Sequence, residues 1–153
     1  MQACIALVAV GQALIWWRAL AWYPRLPDRI PVHFSMGGTP DRWTDRGAEW
    51  FVLPGVSTGL TMLMVLIGLF IGRMAFRTPS LVNMPNKALF VRLSPAGRMR
   101  AVAPTRVFLA WSSATVTFLF AFILEGSARV AIKETSTLPL WPMITFMGLV
   151  FAG

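Results

Sequence analysis

Apolar residues dominate four stretches of this chain and leave two polar connections between them. The first apolar run, Ala3 to Tyr23, ends in Trp16, Trp17, Trp22 and Tyr23, the pattern of an aromatic belt at headgroup level. Arg18 lies near that end, where a long cationic side chain can reach the interface. The second run, Phe51 to Gly72, has no charged residue, and at about 1.5 Å per residue it spans about 33 Å, enough for a hydrocarbon core. Pro54 falls in its first turn, where a missing N–H is tolerated. The third run, Val107 to Leu124, is also uncharged, and its Ser112, Ser113, Thr115 and Thr117 can bond their own helix or a neighbouring one. Glu125 is expected to end it at the interface. The fourth, Leu138 to Gly153, reaches only about 24 Å and contains Pro142. A tilted helix or a sequence cut short would explain that length, and truncation is the preferred reading. The expected fold is therefore an all-α integral membrane protein of about four transmembrane helices (3–23, 51–72, 107–124 and 138–153), forming a single domain over 1–153. A compact polar loop occupies 24–50 and a basic loop 73–106.

The composition agrees with that class. Of 153 residues, 56% are hydrophobic and 13% charged, and the mean hydropathy is +0.64, where soluble domains carry about 25% charge. The single cysteine, Cys4, makes no internal disulfide. The start MQACIALVAV lacks the cationic region of a secretory signal and reads as a retained helix or as a chain whose true start lies upstream. A net charge of +8 would suggest nucleic acid in a soluble protein. Here the cations flank apolar runs, so the expected partner is a bilayer with anionic headgroups, and no nucleic-acid motif is visible. The loop 73–106 holds Arg73, Arg77, Lys87, Arg92, Arg98, Arg100 and Arg106 and no acid. That concentration places it in the cytoplasm and the loop 24–50 outside, although the cations on the opposite side number seven as well.

The stretch 26–47 contains half of the chain's six acids, in three Asp-Arg dipeptides (28–29, 41–42 and 45–46), together with the only histidine, His33. Pro24, Pro27 and Pro31 exclude a helix there. Ile30, Val32 and Phe34 alternate with Pro31, His33 and Ser35, predicting a half-buried extended segment. Gly37-Gly38 supplies a tight turn, and Thr39-Pro40-Asp41 carries the signature of a helix start. Trp43 and Trp50 are expected as interfacial anchors. Neighbouring residues do not face each other on a helix, so each Asp should pair with an Arg of another dipeptide. Either a charge-balanced lattice or an anion or peptide site built on the arginines would result.

His33 suits a structural, hydrogen-bonded imidazole better than a metal ligand, since a metal would need partners among Asp28, Asp41, Asp45 and Glu49 without ligand spacing. A Ser-His-Asp arrangement would need Ser35 or Ser57 brought to His33. No phosphate-binding or dinucleotide-binding motif occurs. These observations predict no metal, no cofactor and no enzymatic activity. Gly55 and Gly59 form a small-xxx-small pair of the kind that lets helices approach closely.

The run LPDRIPVHFSMGGTPDRWTDRG resembles the SdpI-like family of bacterial membrane proteins, which includes an immunity and signalling protein against a peptide toxin. Leu26, Pro27, Ile30, Pro31, His33 and Phe34 fit its first motif, Gly38, Asp41, Arg42 and Trp43 its second, and Pro54 the proline of the following helix. The later VNMPNKALF, with Asn83, Pro85, Asn86 and Lys87, fits a further segment, and its asparagines favour turns. Only Phe90 remains of an aromatic pair that members often carry there. The resemblance covers roughly residues 1–125, and the chain lacks the additional helical half of the longer protein. It implies a multi-pass protein of the bacterial inner membrane that senses, or confers immunity to, an extracellular peptide or envelope stress. The motif-loop residues, with Asp28 beside Pro27, would bind the peptide ligand or protein partner. The alternatives are a membrane scaffold or transporter component working as a homo-oligomer through Gly55 and Gly59, and a lipid-active enzyme using His33 with Asp41 or Asp45.

Overall fold

The computed structural model describes residues 2–139 and 141–151. Helix α1 (Gln2–Trp22) leads through a 3-10 turn into a β-hairpin, β1 (Arg29–Phe34) and β2 (Pro40–Asp45). A second 3-10 turn, Ala48–Phe51, opens α2 (Val52–Arg77). Two short helices follow, α3 (Lys87–Arg92) and α4 (Pro95–Ala101), then the long α5 (Ala103–Ala131) and finally α6 (Trp141–Phe151). Helix α5 packs against both α1 and α2, and α6 folds back along α5, where the Trp111 indole N–H donates to the Leu149 carbonyl at 2.7 Å.

Three helical segments, Ile5–Arg25, Ala48–Arg77 and Ala103–Ala131, are long and apolar enough to cross a membrane. The fold is thus mostly helical and membrane-spanning; among the described residues three helices meet that length, and the expected fourth span is described only in part. The described part of the fourth has 11 residues, about 16 Å at the helical rise. Leu140, Ala152 and Gly153 lie outside the described residues. The second and third helices outrun their apolar cores: α2 continues to Arg77, and α5 runs from Ala103 through Glu125 to Ala131. Glu125 does not end its helix, because Arg18, Trp22 and Arg129 give its carboxylate partners inside the bundle.

The loop 24–50 is likewise not helical at its centre. Residues 40–45, expected to start a helix, form β2, paired antiparallel with β1 from Arg29↔Asp45 to Phe34↔Pro40. The extended segment at Ile30–Phe34 is as expected, and Ile30 is fully buried. Once β1 is fixed on the core, Trp43 and Thr44 favour a pleated partner, and pairing satisfies backbone groups that one helical turn would leave open. The turn closes through the Gly38 N–H on the Ser35 carbonyl at 2.9 Å, with Gly38 at φ +75°.

The hairpin sits on a core of Ile15, Ala19, Trp22, Leu26, Trp50 and Leu124. Trp50 is no interfacial anchor: it is 4% exposed and its indole N–H donates to the Ala19 carbonyl at 2.8 Å. Trp22 also turns inward, its N–H on Glu125 at 2.8 Å, while Trp17 stays exposed. A second, smaller core of Ala75, Val82, Phe90 and Val102 folds the basic segment against the end of α2. What was expected as a basic loop is therefore largely helical.

This topology sorts charge. α1 and α5 carry the chain toward and away from opposite ends of α2, so all six acids gather at the hairpin end with seven cations. The other end holds seven cations and no acid.

Candidate functional site

A cavity of about 540 Å³ lies under the hairpin, between β1, the start of α2, α5 and α6. Its walls are apolar, with Ile30, Leu53, Leu124 and Met143 among them. Its polar groups come mostly from the hairpin and the turn behind it: His33, Ser35, Arg42 and Glu49. An apolar cleft with a few convergent polar groups is the usual form of a ligand site.

The two motifs meet here. The Nδ1 of His33 lies 2.6 Å from Oδ1 of Asp41 across the hairpin, joining the first motif to the second. Pro31, His33, Phe34, Arg42 and Trp43 line the cavity. Pro27, Asp28 and Gly38 are not among its lining residues. Asp28 sits at the open end of the hairpin with its carboxylate fully exposed, 3.9 Å from Arg46. That pair does cross from one dipeptide to another, but an ion pair so exposed contributes little. Arg46 instead donates to the Leu26 carbonyl at 2.8 Å and covers the ring of Tyr23 at 5.7 Å, so it holds the hairpin to the end of α1.

Gly38 acts by shape. A Cβ there would stand 2.1 Å from the carbonyl oxygen of Leu138, and its own carbonyl accepts the Leu138 N–H at 2.8 Å. Leu138 is 3% exposed, lines the cavity and presses its side chain on Gly126 of α5. The hairpin tip, the strap leading to α6 and α5 are thereby pinned around one residue. Nothing in the sequence marked Leu138 beyond its place at the head of an apolar run.

The further segment, Asn83–Lys87, lies at the opposite end of the bundle and is not part of this cavity. It builds a turn: Asn86 takes the left-handed conformation at φ 54°, and its carbonyl receives the N–H groups of Leu89 and Phe90. Val82 and Phe90 on either side are buried in the smaller core. Lys87 opens α3 and is exposed.

A third polar feature lies inside the helices. Gln12 Nε2 has Thr61 Oγ1 at 2.8 Å, Ser57 Oγ at 2.9 Å, Thr117 Oγ1 at 3.0 Å and the Ser57 carbonyl at 3.3 Å. Its Oε1 accepts from Thr58, which in turn accepts the Trp16 indole N–H. Ser113 donates to Thr61 at 3.1 Å and Thr117 to the Ser113 carbonyl at 2.9 Å. One amide thus ties α1 to α2 and α5 where no water competes. The hydroxyls of the third run were expected to bond within or between helices; the missed hub is Gln12, whose signal is a lone amide in an apolar run. Among the described residues, nothing lies within 4 Å of where a Cβ at Gly55 or Gly59 would stand, so the close approach their spacing suggested is not seen there.

Fold and site together define a class: a membrane-spanning helical bundle capped at one end by a β-hairpin that roofs a cavity. Residues 12–58, from Gln12 through the hairpin to Thr58, match the family described as "Domain of unknown function (DUF1648)". An uncharacterized protein of Archaeoglobus fulgidus is 32% identical over 84 residues, an alignment covering 55% of this chain and 45% of that relative. No solved structure matches.

Proposed function

We propose that the chain is a non-enzymatic membrane protein of SdpI-like type whose hairpin-roofed cavity takes up an extracellular amphipathic peptide, conferring immunity or sensing. The observation that carries this reading is the cavity itself. Six residues of the hairpin motifs line it, and its apolar walls with cationic and acidic rim groups suit a peptide that presents an apolar side chain and charges together. An orientation with the hairpin outward and the acid-free end in the cytoplasm is supported by the concentration of seven cations in the single segment 73–106.

The test is survival of a peptide-sensitive bacterium expressing the chain, challenged with a panel of cationic amphipathic peptides. Expression should raise the inhibitory concentration of at least one peptide, and Leu53→Trp, which fills the cavity, should abolish the gain at equal membrane abundance. Equal protection by Leu53→Trp, or none by the wild type, would defeat the reading. A lipid-active enzyme is favoured by one observation, the His33–Asp41 bond, which orients an imidazole. Among the described residues no hydroxyl is bonded to His33, so this reading rests on that one bond.

A further inference from the structure

We propose a site for a phospholipid of net negative headgroup at the acid-free end of the bundle: an acyl chain in the crevice between α1, α2 and α5, with the lipid phosphate on Arg106. The crevice measures about 110 Å³. Ile5 and Val8 of α1, Val65 and Leu69 of α2 and Leu109 of α5 form its walls, and Arg106 lines it from the first turn of α5. The space beside Gly68 is open, for a Cβ there would touch only Leu109, at 3.9 Å.

Three observations identify the occupant. The crevice lies between three membrane-spanning segments, where the solvent is hydrocarbon. Its volume suits a few methylene groups, given about 30 Å³ for a water-sized group, and not a headgroup. The guanidinium of Arg106 rests against the backbone at Gly72, where a built Cβ would stand 3.6 Å from its Cζ and Nε. It makes no ion pair or side-chain hydrogen bond among the described residues. Residues 73–106 offer it no carboxylate, and the same segment leaves the Nε of Arg98 buried without an acceptor. A guanidinium unpaired at the end of an apolar crevice calls for an anion attached to an acyl chain, and phosphate suits its forked donors. The site is independent of the hairpin cavity.

The experiment is native mass spectrometry of the purified full chain released from micelles containing equal amounts of phosphatidylglycerol and phosphatidylcholine. The wild type should retain phosphatidylglycerol with about fivefold preference or more, the ratio expected for one cation facing an anionic headgroup. Arg106→Gln should remove most of that preference. Arg100→Gln, the same loss of charge on an exposed residue of α4, should leave it intact. Gly68→Leu should fill the crevice and reduce retention; if that variant does not fold, the two arginine variants decide alone. Millimolar inorganic phosphate should not displace the lipid. Absence of preference, equal behaviour of the two arginine variants, or displacement by phosphate would overturn the proposal.

Discussion

Replacing Gly38 by Ala should detach the strap before α6 from the hairpin while leaving the bundle folded. The left-handed backbone at φ +75° costs a residue with a Cβ about 1 kcal/mol. The added Cβ would also stand 2.1 Å from the Leu138 carbonyl oxygen, and backbone cannot yield as a side-chain tip can. Relief requires the strap to move, losing the Gly38–Leu138 hydrogen bond at 2.8 Å, about 1 kcal/mol. It also uncovers Leu138, now 3% exposed, at about 1.5–3 kcal/mol. The sum is about 3.5–5 kcal/mol, so hydrogen exchange at the Leu138 amide should quicken by roughly several hundredfold or more. Gly126→Ala makes the informative contrast. Its Cβ would also lie 2.1 Å from Leu138, but from Cδ1 of the side chain. Adding Leu138→Ala should therefore rescue Gly126→Ala and fail to rescue Gly38→Ala. Exchange mass spectrometry of the segment 132–139 in micelles reads both. Unchanged exchange in Gly38→Ala, or equal rescue of the two variants, would refute the reasoning.

Further outcomes follow from the polar contacts. His33→Gln and Asp41→Asn break a bond between side chains 61% and 46% exposed, so each should lower stability by less than about 1 kcal/mol in thermal unfolding, yet abolish peptide protection. Gln12→Leu leaves the Thr61, Ser57 and Thr117 hydroxyls short of a donor and should cost about 1–2 kcal/mol. Combined with Thr117→Val it should cost less than the sum, because both disrupt one network. Glu125→Gln strands Arg18, whose Nη2 lies 2.6 Å from the carboxylate, and should cost about 2 kcal/mol in denaturant unfolding; pairing it with Arg18→Met should recover part of that. Trp50→Phe keeps the apolar bulk but loses the donor to Ala19, for about 1 kcal/mol.

The spans were legible because an uncharged apolar run of twenty residues has few alternatives in lipid. Their ends were not, since Arg73 and Arg77 continue α2 beyond its uncharged run and Glu125 and Arg129, paired with each other, continue α5. The strand at Ile30–Phe34 showed in its alternation, but residues 40–45 carry a helix-start signature that pairing with β1 overrides. Trp50 read as an anchor because a local pattern cannot reveal a carbonyl, Ala19, delivered from thirty residues away. Of the candidate site residues, those that line the cavity were named from the motif. The His33–Asp41 bond and the clasp around Leu138 depend on the hairpin register and the return of the strap, which no local pattern encodes.

In the function proposed above, the hairpin end faces outward and receives a ligand in the cavity beneath it. Ser35 lines that cavity, so a cysteine at this position, in a Cys4→Ser background, reports both points. In intact cells a membrane-impermeant maleimide should label Ser35→Cys rapidly, and a peptide against which the chain protects should slow the labelling. Labelling only after the membrane is permeabilised, or at a rate the peptide leaves unchanged, would contradict the account.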